Sequence, residues 1–170
     1  NLQMHGADYR FLVPGRVVGN AGLQLGSAAG IYVLGYGITG RDSTGARVGA
    51  ELIRAQLVTQ TLTIGIKATA RRDRPDGNGH LSFPSGHASA TFATAPVLAS
   101  HFGWRVAVPS YVVATYVASS RLHENRHNAS DVIFGAALGI AVGQTIRARR
   151  DAAIALQPVV FPGGIGASLE

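Results

Sequence analysis

The stretch Ser120–Arg150, SRLHENRHNASDVIFGAALGIAVGQTIRARR, decides how the chain is read. Its first part, His123–Ala129, is polar and loop-like. Its second part holds an uncharged run, Val132–Ile146, closed by Arg147, Arg149 and Arg150. Gly135, Gly139 and Gly143 are four apart, which on a helix puts them on one face, where a partner helix can come close. Ser130 is a fitting N-cap, and the closing arginines suit a helix C-terminus. The pattern predicts a helix from Ser130 to about Arg149. His127 and Asp131, also four apart, then fall at its mouth and within reach of one another.

Outward from this stretch the same signals repeat. Val17–Leu34 reads as a glycine-faced helix with Gly22, Gly26 and Gly30 four apart. Gly35-Tyr36-Gly37 and Thr39–Gly45 read as a break and a loop. A helix is expected over Ala46–Ala70, a loop over Arg71–Pro84, and a helix over Ser85–Phe102 with Pro96 kinking it. Gly103-Trp104 reads as a turn before a helix over Val106–Leu122, kinked or begun at Pro109. Residues 1–16 and 151–170 read as irregular, the tail extended around Pro158, Pro162, Gly163 and Gly164. No alternating strand pattern interrupts this. The expectation is an all-α, single-domain bundle of five or more helices over residues 1–170.

Charged residues are only 14% of the chain against 46% hydrophobic, so the surface is apolar or lies near a membrane. Fourteen Arg and one Lys against nine acids give a net charge of +6, which favours anionic partners. Nucleic acid is a poor match, because the basic residues are not interleaved with aromatics and the only Trp lies in a turn. The absence of Cys excludes disulfides and thiolate metal sites. No signal-peptide pattern opens the chain. It begins at Asn1 as though an upstream segment had been cut away, and Leu169-Glu170 resembles a vector remnant. Val106–Ser120 and Val132–Ile146, each 15 residues without a charge, read as too short to span a membrane, which takes about 20. Val17–Gly40 is long enough, but Asn20, Gln24 and seven Gly weaken it as a span.

Three clusters carry chemistry. The first is Lys67, the only lysine, followed by Arg74-Pro75 in a loop that also holds Arg71 and Arg72. The second is Phe83-Pro84-Ser85-Gly86-His87. There Ser85 can cap a helix or bind an oxygen, Gly86 lets the backbone approach a ligand, and the free N–H groups of the first turn favour an anion beside His87. The third is Ser120-Arg121, His127 and Asp131. An Asp that accepts from one imidazole nitrogen fixes the tautomer and makes the other nucleophilic, and Arg121 can clamp phosphate. Each cluster alone has an ordinary explanation: a solvated basic loop, a capped helix with a surface His, a surface His–Asp pair. Together they hold three cations, a helix N-terminus, an oriented His and a second His. That set suits phosphoryl transfer through histidine without a metal.

Lys67, Arg74, Pro75, Pro84, Ser85, Gly86, His87, Ser120, Arg121, His127 and Asp131 resemble, in order and spacing, the signature of the type 2 phosphatidic acid phosphatase superfamily, which includes vanadium haloperoxidases and bacterial class A acid phosphatases. The resemblance covers about residues 50–147 and agrees with a helical bundle. It implies that His127 attacks phosphorus and forms a phosphohistidine, that Asp131 orients His127, and that His87 protonates the leaving oxygen. It further implies that Lys67, Arg74 and Arg121 neutralise the phosphoryl oxygens, that Ser85 and the Gly86 N–H complete the cradle, and that no metal or other cofactor is needed. Substrates would be phosphomonoesters or pyrophosphates, small or lipid-borne, met by an extracytoplasmic, periplasmic enzyme associated with the membrane.

Three alternatives compete. A vanadate-dependent haloperoxidase would bond vanadate to His127 as cofactor, where a phosphatase is inhibited by it; such enzymes are much larger chains. His123-Glu124-Asn125-Arg126-His127 reads H-E-x-x-H, the zinc-protease motif, but the segment is polar and Asn-rich and no third His follows. That places His123 and Glu124 on the surface or rim. A non-catalytic anion-binding domain would need the cations but not His127 and Asp131 together.

Overall fold

The computed structural model describes residues 7–161 and 164–169, with side chains over 12–149. Six helices follow one another: α1 (Ala7–Val18), α2 (Ala21–Thr39), α3 (Thr44–Ala70), α4 (Gly86–Phe102), α5 (Trp104–His123) and α6 (Ala129–Ala155). An antiparallel ribbon of β1 (Leu156–Phe161) and β2 (Gly164–Leu169) ends the described chain. The expected all-α bundle is observed.

Its termini differ from the reading as irregular segments. Residues 7–18 are helical despite Pro14. At the other end α6 runs on to Ala155 before the ribbon. The helix expected over Val17–Leu34 is divided: Asn20 stops α1 and caps α2, its side-chain oxygen accepting from the Leu23 N–H at 3.1 Å, and the two axes bend by 58°. The break expected at Gly35–Gly37 does not occur. α2 continues to Thr39 because Gly35 packs directly on Gly45 and Ala46 of α3, where a side chain would collide. Trp104 is the first residue of α5, and the chain reverses at Gly103, whose φ of +71° is in the left-handed region.

α4 is the central element, fully buried along Ala88, Ala90, Ala93, Ala95 and Val97. The glycine face of α6 lies on it, as its spacing predicts. A Cβ on Gly139 would stand 2.3 Å from the Ser89 carbonyl oxygen, and one on Gly143 2.6 Å from that of Ala93. On its other side α4 meets a buried polar face of α3. The Gln56 amide donates to the Ala90 carbonyl and the Thr94 hydroxyl, both at 2.9 Å, and Thr63 shares a 3.0 Å hydrogen bond with Ser89. These pairings fix the register of α3 on α4, since a buried polar group without a partner is costly. The mouth of α4, the end of α3, the end of α5 and the start of α6 all lie at one end of the bundle.

Residues Ala129–Arg149 of α6 are long and apolar enough to cross a membrane, with a mean hydropathy of 1.4, so the 15-residue uncharged core understated the helix. The bent pair Leu12–Val18 and Ala21–Thr39 passes the same test as one broken span.

Candidate active site

The loop from Arg71 to Pro84 is tied down at several points. Arg71 ends α3 in a left-handed conformation, its N–H donating to the Lys67 carbonyl. Gly77 and Gly79 take φ of +72° and +100°, which lets the Arg74 N–H reach the Gly79 carbonyl at 3.0 Å. Asp76 receives Arg126 at 3.2 Å, which ties this loop to the α5–α6 connection.

At the mouth of α6 the side chain of Asp131 is fully buried and hydrogen-bonded throughout. It accepts from the Ser82 hydroxyl at 2.5 Å, the Asn128 N–H at 2.8 Å and the Arg72 guanidinium at 2.8 Å. His127 is placed close by, but its Nδ1 is 3.8 Å from Asp131 Oδ2 and instead pairs with the Ser82 carbonyl at 2.7 Å. A carbonyl can only accept, so Nδ1 carries the proton and Nε2 is the free, basic nitrogen. The direct His127–Asp131 hydrogen bond implied by the resemblance is therefore replaced by a relay. Asp131 holds the Ser82 side chain, and the Ser82 backbone holds His127. Burial, with Lys67 nearby, lowers the His127 pKa to about 4, so the ring is neutral near pH 7.

The second histidine stands at the mouth of α4. Ser85 is fully buried and acts as the N-cap, its hydroxyl accepting from the Ala88 N–H at 3.5 Å. Its own N–H donates to the Asp131 carbonyl at 2.9 Å, and Gly135 allows α6 to come this close. Ser85 thus fixes the helix mouth, while Gly86 and His87 line the cavity in front of it. His87 Nε2 pairs with the Arg16 carbonyl at 3.1 Å, leaving Nδ1 free. Burial and the Arg121 charge lower the His87 pKa to about 4.

That cavity has a volume of about 260 Å³ and brings together Lys67, Arg74, Gly86, His87, Arg121 and His127, all expected from the sequence. Lys67 donates to the Leu81 carbonyl at 2.7 Å, and burial, reinforced by Arg74, lowers its pKa to about 8. Arg74 has a buried Nε without a hydrogen-bond partner among the described residues. The buried Arg121 donates through Nε to Ser120 Oγ at 3.2 Å and through Nη2 to Glu124 at 2.8 Å, which holds its planar group in place. Three further wall residues were not anticipated: Arg16 from α1, Arg126 and Glu124. Glu124 is no rim residue, since its side chain is 9% exposed in the pair with Arg121. Arg72 and Ser82 were also missed as supports of Asp131. Ser130 is the second residue of α6 rather than its cap, and its hydroxyl accepts from Arg72 at 2.8 Å.

The H-E-x-x-H stretch does not form the helical face a zinc protease requires. α5 ends at His123, and Asn125 has a φ of +54°. The two histidines are thus on different local structures, with Glu124 on Arg121 and His127 on Ser82.

A neutral imidazole with a free nitrogen, a second imidazole and several cations around one cavity make a site for an oxyanion such as phosphate. The chain belongs to the PAP2 superfamily, whose family model matches residues 48–154. It is 38% identical over 120 residues to a lipid A 1-phosphatase of Porphyromonas gingivalis, covering 68% of this chain and 27% of that one. It is 35% identical over 98 residues to a decaprenylphosphoryl-5-phosphoribose phosphatase of Mycobacterium tuberculosis, covering 52% of this chain and 54% of that one. The chain therefore spans between about a quarter and a half of the length of these relatives. The fold is shared with LpxE of Aquifex aeolicus at a TM-score of 0.71, with 20% identity over 84% of this chain and 87% of that one. It is also shared with a transmembrane PAP2 type phosphatidylglycerolphosphate phosphatase of Bacillus subtilis at 0.69, with 20% identity over 88% and 79%.

Proposed function

We propose that this chain is a metal-independent phosphatase that hydrolyses phosphomonoesters or pyrophosphates of lipids through a phosphohistidine at His127. The observation that carries the reading is the His127 Nδ1–H bond to the Ser82 carbonyl, which leaves Nε2 as the basic nitrogen of a residue in a cation-lined cavity. Nε2 attacks phosphorus as the bond to the leaving oxygen breaks. His87, through Nδ1, protonates that oxygen. A phosphoryl dianion beside His87 opposes the effect of burial and Arg121 and raises its proton affinity in the complex. Water then attacks the phosphohistidine, its proton passes to His87, and inorganic phosphate leaves. Lys67, Arg74 and Arg121 neutralise the phosphoryl oxygens throughout, and Asp131 keeps the Ser82–His127 relay in place.

The lipid substrate class is supported by the relatives named as lipid A and decaprenylphosphoryl phosphatases and by the apolar exterior. Val33, Leu34, Ile38, Val112 and Ile133 are all more than half exposed, a surface suited to acyl chains. In the membrane placement we infer, the cavity end faces the extracytoplasmic side. The opposite end carries Arg41 between α2 and α3, Arg105 at the start of α5, and Arg147 and Arg149 late in α6, besides Arg47, which is paired with Asp42. Cations outside any site favour the cytoplasmic side. At the cavity end Arg72 and Arg126 are paired with acids and Arg74 lines the cavity, which leaves Arg71, bonded to the Ala68 carbonyl, against four arginines at the other end.

The test is phosphate release from p-nitrophenyl phosphate, a phosphatidate, a prenyl pyrophosphate and a nucleotide, with His127→Ala as control. The expected result is release from one or both lipid substrates, lost in the variant and inhibited by vanadate, which mimics five-coordinate phosphorus. Release unaffected by the variant and by millimolar vanadate would overturn the reading. Halide oxidation with added vanadate and peroxide would favour the haloperoxidase.

A further inference from the structure

A second cavity lies against the outside of α3 and α6, running from the middle of the two helices away from the catalytic cavity. It has a volume of about 360 Å³ and an apolar wall of Val58 and Leu62 from α3 with Leu138, Ala141, Val142 and Ile146 from α6. The polar residues on its wall are Thr145, whose hydroxyl already donates to the Ala141 carbonyl, and Arg149. The two helices are antiparallel. Lys67, near the end of α3, lies within electrostatic reach of Asp131 at the start of α6, while Ile146 packs against the core around Leu52 and Ala55. Val58 and Leu62 therefore point the groove away from the catalytic cavity and towards Arg149. Arg54 is exposed and one helical turn beyond Val58 on the same face, so it flanks the same mouth as Arg149.

We infer that this groove binds one anionic phospholipid of the leaflet opposite the catalytic cavity, an acyl chain lying between α3 and α6 and the phosphate on Arg54 and Arg149. Charge complementarity selects this occupant. The slot is apolar along its length and holds cations at one mouth, the pattern of a lipid with an anionic headgroup and not of a zwitterionic lipid or of an apolar helix from a second copy. A long arginine side chain can extend its guanidinium towards the headgroup level while its stem covers apolar surface. The inference rests on the membrane placement proposed above but not on the reaction.

The experiment uses the full chain carrying His127→Ala, so that no lipid is consumed at the catalytic cavity. The protein is reconstituted in bilayers of phosphatidylglycerol and phosphatidylcholine, extracted, and its retained lipids are counted by native mass spectrometry. One phosphatidylglycerol is expected to persist. Each cation near an anionic headgroup is worth about a factor of five in affinity, so the affinity for phosphatidylglycerol should fall about 25-fold in Arg54→Gln/Arg149→Gln, read as a loss of retained lipid. Leu62→Trp, which fills the groove and keeps both arginines, should lose the lipid as well. Arg105→Gln, at the same end but beside Trp104, should keep it. Equal retention of phosphatidylcholine, or unchanged occupancy in the double variant or in Leu62→Trp, would overturn the inference. A protein removed from bilayers by alkaline washing would overturn the membrane placement and this site with it, while leaving phosphate release as the separate measure of the reaction.

Discussion

Two helices carry the same glycine repeat and meet opposite fates. On α6, Gly135, Gly139 and Gly143 press against the backbone of Ser85, Ser89 and Ala93, so closely that none has room for a methyl group. On α2, among the described residues, Gly26 and Gly30 face open space, and Gly22 meets only the side chain of Asn20. The spacing gives a helix the capacity for close approach; a partner backbone decides whether it is used. The used ladder has a functional consequence. Its first rung, Gly135, admits Ser85, whose N–H bonds the Asp131 carbonyl, and this joins the mouth of α4 to the mouth of α6. His87 and His127 are thus brought to one cavity by the seam between α4 and α6.

The largest expected effect separates the chemistry from that seam. His127→Ala should lower phosphate release by at least about 10³-fold, the usual scale for a lost nucleophile, with an unchanged thermal unfolding profile. A variant that loses its fold instead would place His127 in the scaffold. Next, Gly139→Leu should cost about 3 kcal/mol by overpacking and lose activity with stability, while Gly26→Leu should leave both in place. Equal losses in the two, measured by thermal unfolding in detergent, would break the comparison. A smaller effect lies in pH. Lys67, with its pKa lowered to about 8, is cationic below that value and neutral above it, so kcat/KM should decline as pH rises through about 8. Lys67→Arg, which stays charged, should move that limb upward; a limb at the same pH in both would assign it to another group. The smallest effect is on α2. Gly26→Ala should raise stability by about 0.5–1 kcal/mol, because alanine is the better helix former and finds room there.

Much of this was legible in the sequence because the chemistry sits in short motifs at helix ends. Lys67, Arg74, Gly86, His87, Arg121 and His127 line one cavity as their clusters suggested, and the α6 ladder packs as its spacing suggested. What escaped reading depends on contacts between distant segments. Ser82 and Arg72 reach Asp131 across 49 and 59 residues, and no local pattern marks them. A spacing of four placed His127 beside Asp131 but could not show that the Ser82 carbonyl would take Nδ1. α1 lies largely within residues 1–16, which read as irregular, and it forms with Pro14 inside it. Gly15 is in fact where α1 packs on Ser120, and this brings Arg16 to the cavity. Glu124 looked like surface until its pairing with a buried Arg121 was seen.

The central claim is that phosphorus is transferred to His127, and the most direct measurement is to trap that intermediate. Substrate radiolabelled in its phosphate would be mixed with enzyme, quenched in alkali within one turnover, and the labelled protein digested and sequenced. The account predicts alkali-stable, acid-labile label on the peptide containing His127, absent from His127→Ala. Steady turnover with no labelled protein, or label on a different residue, would contradict it.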